Sequence, residues 1–100
     1  MIQLGDIILY QLSDIDAESI NRRYRHAAHN RGMMRVRKDG YQSHFGNRVG
    51  MGEVVAMIVT KVWSSTCVNG QAVLDGNDSL WLTSACEGEG PGYWSKRTDT

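Results

Sequence analysis

The 100-residue sequence predicts a small α+β domain, mainly β: a curled antiparallel sheet or SH3-like, partly open barrel with one α-helix inserted after the first strand. Three observations predict it. Short runs of β-branched and aromatic residues recur between Gly, Asn and Asp turn signals. A single stretch near the N-terminus carries helical spacing behind a capping residue. The length suits one hydrophobic core, and 41% hydrophobic with 22% charged residues is ordinary globular usage rather than the signature of disorder. Residues 1–94 are expected to form one globular domain, and residues 95–100 a flexible C-terminal tail.

Taken in order, Gly5-Asp6 reads as a turn, and Ile7 to Leu12 as the first strand. Ser13 then precedes Asp14, Asp16 and Glu18. A hydroxyl there caps free N–H groups, and carboxylates complement the positive end of a helix dipole, so a helix is predicted from Asp14 to about Asn30. Ile20, Tyr24 and Ala27 or Ala28 fall on its core side, and Gly32 is a plausible terminator. Met33 to Val49 reads as a long loop, with Met33–Arg37 as a candidate short strand. The three glycines within Gly46–Glu53 demand a turn.

Val54 to Trp63 is apolar in both alternating sets, which predicts a central strand covered on both faces. A β-meander is expected after it. Turns are predicted at Ser64–Thr66 and Asp75–Asp78, with a last strand at Ser79–Ala85. Asn69-Gly70 is also a tight-turn signal. Glu87 to Trp94 is too Gly-rich for a regular element, and the Tyr93-Trp94 pair that ends it is read as docking the tail on the body. Of Trp63, Trp81 and Trp94, the last is expected to be the most accessible.

The net charge of zero conceals an uneven distribution. Residues 1–20 sum to minus four, residues 51–100 to minus three, and residues 21–50 to plus seven. Arginine forks bind phosphate and carboxylate bidentately, so Arg22, Arg23, Arg25, Arg31, Arg35, Arg37 and Arg48, with Trp94 as aromatic support, are the candidate ligand- or partner-binding residues. The expected partner is a host protein or an anionic small ligand; nucleic acid and a second copy of the chain are further candidates. The alternative is a solvated face that complements the acidic flanks of the same chain.

Other chemistries find no footing. There is no GxxxxGK[ST] phosphate loop. His26 and His29 share a helical face but lack a third ligand, so no metal and no cofactor is expected. Asp75 and Asp78 read as turn residues rather than cation ligands. Nothing marks Cys67 or Cys86 as an activated nucleophile paired with His44, and an enzyme is not expected. The two cysteines lack CxxC spacing and are expected as reduced thiols, with pairing across a hairpin as the alternative. No apolar run reaches membrane-spanning length, and the N-terminus lacks the basic region and cleavage site of a signal peptide, so the chain is expected to stay where it is made, without contact with a membrane.

The runs GNRVGMGE (46–53), MIVTKVW (57–63), VNGQAVLDGNDSLWLTS (68–84) and GEGPG (88–92) resemble a family of small bacteriophage and prophage proteins. The segment GDIILYQLSDIDAESINRRY (5–24) is similar to their N-termini, so the likeness spans nearly the whole chain. It carries over no catalytic residue. It implies a setting: a phage accessory or viral protein of unknown function, in the host bacterial cytoplasm.

Overall fold

A computed structural model describes residues 1–29, 48–75 and 78–97, with side chains for all of these except 26–29. The chain folds as β1 (Ile7–Gln11), α1 (Asp14–His29), β2 (Val54–Val62), β3 (Cys67–Val73), β4 (Ser79–Glu87) and β5 (Tyr93–Ser95). The five strands form a closed barrel in sequence order, with β5 returning to β1. All pairings are antiparallel except β4–β5, which is parallel through Cys86–Tyr93 and Glu87–Trp94. The expected meander is β2–β3–β4, with the turn between β2 and β3 at Ser64–Thr66 as the sequence places it.

The helix begins where its local chemistry dictates. Ser13 Oγ accepts from the Asp16 N–H at 3.1 Å, and Asp16 Oδ2 accepts from the Ser13 N–H at 3.0 Å, a reciprocal capping box. Leu12 before the cap and Ala17 in the first turn are both buried, forming the accompanying apolar staple. The same Asp16 carboxylate receives the hydroxyl of Tyr10, a core residue of β1, so the helix start is bonded to the barrel wall. Ala17, Ile20 and Tyr24 form the buried stripe of α1.

Inside the barrel, Ile8, Tyr10, Met57, Val59, Val68, Ala72, Leu82, Ala85 and Trp94 meet in one core with Leu12, Ile20 and Tyr24. β1, β2 and β3 contribute residues of one alternating set, because successive side chains point to opposite faces, while a register shift in β4 spaces Leu82 and Ala85 three apart. β2 departs from expectation here. Met57 and Val59 are buried, but Val54, Ile58 and Val62 are exposed, so only one face is covered. The outward set of β2 is exposed, and the only helix among the described residues, α1, follows β1.

Three further expectations are corrected. Asn69-Gly70 is not a turn but the middle of β3. Gly70 is required there because a Cβ would lie 2.7 Å from Ile58 O and 2.8 Å from Met57 Cγ. Asn69 stands where both neighbouring ladders slip by a residue. Its Oδ1 accepts from the Ser84 N–H at 2.7 Å and from Trp63 Nε1 at 2.9 Å, holding Ser84 at a positive φ of 54°. Second, the Gly-rich segment feeds a short strand after all. Gly90 and Gly92 both take positive φ, and the Gly92 N–H bonds to Gln11 O, which delivers β5 to the edge of β1. Ser95, assigned above to the tail, pairs with Leu9. Third, Cys67 and Cys86 are joined in a disulfide rather than left as two thiols, because the β3–β4 register sets them directly opposite. The candidate strand at Met33–Arg37 lies outside the described residues.

A candidate anion-binding surface on the helix

Four of the seven candidate arginines can be placed. Arg22 and Arg25 are exposed on α1 and share one carboxylate, with Glu18 Oε1 lying 3.9 Å from Arg22 Nε and 3.1 Å from Arg25 Nη2. All three side chains are about half or more exposed, a setting in which an ion pair contributes about 0–1 kcal/mol. Glu18 therefore neutralises part of the charge without sequestering the guanidinium groups.

Arg23 turns the other way. Its Nη1 donates to Asp78 Oδ1 at 3.1 Å and to Ser79 O at 3.3 Å, and the Asp78 carboxylate is largely buried. This pair ties the helix to the start of β4 and is structural. Arg23 therefore does not join Arg22 and Arg25.

Arg48 reaches the helix through its neighbour. Asn21 Nδ2 donates to Val49 O at 2.8 Å, and Asn21 Oδ1 accepts from the Val49 N–H at 3.0 Å. This two-point clamp fixes the returning chain against α1, with exposed Arg48 one residue away. Arg25 lies one turn beyond Asn21 on the same side of the helix. Arg22 and Arg25 thus gather around Glu18, and the Asn21 clamp holds the backbone next to Arg48 on the same helix, so these three arginines outnumber the one carboxylate by two charges. Arg31, Arg35 and Arg37 lie outside the described residues.

Trp94 is not part of this surface. It is 0% exposed, its ring fills the barrel, and Nε1 donates to Ala85 O at 3.0 Å. The expectation that it would be the accessible tryptophan is overturned, because a small barrel needs a large plug and β5 aims this side chain inward. Trp63 and Trp81 are the open ones, 57% and 58% exposed. Alternation could have located Trp81. It shares its phase with Ser79 and Thr83, while Leu82 of the other phase is buried. Trp63 shares a face with Lys61, whose Nζ sits 4.7 Å above its ring. Trp81, Ile7, Val54, Ile58 and Val73 leave an apolar outer wall.

Other sites are sparse. Among the described residues no three His, Cys, Asp or Glu side chains converge as metal ligands. A shallow cleft lies between the N-terminal segment and Lys96-Arg97, and none of the candidate arginines lines it. No described helix is long and apolar enough to cross a membrane. Two tyrosines have displaced ionisation. Burial first, and then the hydrogen bond to Asp16, raises Tyr10 far above the usual phenol range. Burial and the Asp78 charge raise Tyr24.

Comparison with known proteins finds no matching family model, no similar curated protein and no similar solved structure.

Proposed function

We propose that this chain is a non-enzymatic phage or prophage accessory protein of the host bacterial cytoplasm. It engages an anionic partner, an acidic host-protein surface or a nucleotide-like ligand, through the basic helix and the segment that follows it. Counter-defence against the host is the setting that suits such a protein. One observation carries this reading: the Asn21–Val49 clamp brings Arg48 to a helix whose exposed Arg22 and Arg25 share the single carboxylate of Glu18. Weakly held, solvent-facing guanidinium groups exchange one carboxylate for a better anion at little cost. Isothermal titration calorimetry of the purified chain tests it. The probes are a nucleoside triphosphate, a single-stranded oligonucleotide and polyglutamate, each at low and high salt. Binding that weakens with salt supports the reading. No salt-sensitive binding to any of the three sinks it.

A second reading, an assembly or virion component, draws on the apolar outer wall around Ile58 and Trp81. The occupant of that wall would be a second copy of the chain, whose acidic flanks complement the basic middle. Sedimentation discriminates: a monomer at every concentration removes it.

A further inference from the structure

Cys67 and Cys86 face each other across β3 and β4, with Cα atoms 4.2 Å apart. In the next pair the Glu87 N–H donates to Thr66 O at 2.8 Å. The cysteines therefore occupy the adjoining non-hydrogen-bonded position, where opposed side chains come closest. The ladder continues through Val68 and Ala85, so backbone pairing brings the sulfurs together whether or not they are bonded. Both residues are half-buried and lie beside exposed Thr66 at the end of the hairpin, open to a small thiol in solution.

Their place in the barrel gives the bond a consequence. Cys86 pairs with Cys67 on one edge and with Tyr93 on the other, at the point where β4 passes from β3 to β5. β5 is three residues long, and the Gly88 N–H donates to Trp94 O at 3.0 Å across the same seam. The barrel is closed there by a ladder of two residue pairs, as short as the β1–β5 ladder on the other side of β5, and the disulfide anchors one side of it.

We propose that the Cys67–Cys86 pair is a reversible redox lock on this seam. On oxidation the two thiols release two protons and two electrons, and the sulfurs join. Glutathione disulfide, the small-molecule oxidant, takes up both and leaves as two molecules of glutathione. Excess glutathione runs the step backwards. Neither sulfur belongs to the core cluster, so the reduced chain keeps its packing, and only the end of β4 and its contact with β5 open more often.

The test uses the full chain without denaturant, equilibrated in glutathione buffers of graded ratio. Free thiols are alkylated and counted by mass, and amide exchange is followed by NMR in both end states. The expected result is a passage from no added alkyl group to two, with unchanged circular dichroism. The Glu87 and Gly88 amides exchange about tenfold faster when reduced, while the Val59 amide, bonded to Asp6 O, does not change. Four results overturn the proposal: no alkylation in glutathione alone, two alkyl groups in glutathione disulfide alone, loss of the folded spectrum on reduction, or equal exchange in both states. The Cys67→Ser/Cys86→Ser variant must reproduce the reduced exchange pattern; the oxidised pattern in that variant also overturns the lock.

Discussion

Replacing Gly70 by Ala probes the barrel where its walls come closest. A methyl group at this position meets Ile58 O at 2.7 Å and Met57 Cγ at 2.8 Å. The methionine side chain can shift, since three rotatable bonds let it fill irregular space. The carbonyl cannot, because it belongs to the β2 backbone beside the Val59–Gly70 and Ile58–Gln71 pairs. The strands must therefore separate by several tenths of an ångström, and overpacking of this kind costs about 1–3 kcal/mol. Backbone involvement places Gly70→Ala near the top of that range, about 3 kcal/mol. For a domain of about this size each kcal/mol lowers Tm by roughly 4–8 °C, so a fall of about 12–24 °C is expected. Urea unfolding followed by tryptophan emission, with a thermal scan by circular dichroism, measures both. Gly88→Ala is the control. A Cβ there also meets a close neighbour, the Tyr93 ring at 2.7 Å, but that ring is exposed and free to swing, so less than about 1 kcal/mol is expected. A Gly70→Ala variant within about 0.5 kcal/mol of wild type would refute the close approach of β2 and β3 and the placement of Asn69-Gly70 inside a strand.

Two further outcomes follow from the buried polar contacts. Trp94→Phe removes ring volume from the barrel centre and leaves Ala85 O without its donor, for a loss of about 2–4 kcal/mol in urea. It also shifts the remaining emission to the red, since Trp63 and Trp81 face water; an unchanged spectrum contradicts the burial of Trp94. Tyr10 and Tyr24 both have folded pKa values raised above the ordinary value of about 10. Their contribution is present in full below that value. Above it the unfolded chain sheds phenol protons first, so stability falls as pH climbs through and beyond about 10. Tyr10→Phe flattens this alkaline loss in urea midpoints measured from pH 8 to 11, and an equally steep loss in the variant excludes Tyr10 as its source.

What the sequence makes legible is local. The helix start is encoded by Ser13 and Asp16, three residues apart, and survives intact as a capping box. β1 and the meander are carried by apolar runs and turn residues that need no partner to be recognised. What is lost depends on closure. Val54, Ala56 and Ile58 look like a second buried face, yet they point out of the barrel and are exposed. Gly70 resembles a turn glycine because the sequence records the missing side chain and not the neighbouring strand that forbids it. Trp94 resembles a tail residue until β5 is seen to complete the ring.

The candidate site divides in the same manner. The arginine-rich stretch is visible as charge, but charge alone does not separate Arg23, committed to Asp78, from Arg22 and Arg25, which share exposed Glu18. That separation depends on the turn before β4, fifty-five positions from Arg23 in the chain. The link between Arg48 and the helix runs through Asn21, a residue with no signal of its own in the sequence.

The most direct test of the binding role of Arg22, Arg25 and Arg48 is the affinity of whichever anionic probe binds best, compared between wild type and the Arg22→Gln/Arg25→Gln/Arg48→Gln variant. Three exposed charges at about 0.5 kcal/mol each predict roughly tenfold weaker binding at low salt, with a shallower salt dependence and unchanged thermal stability. Equal affinity and an equal salt slope in the two proteins would contradict it.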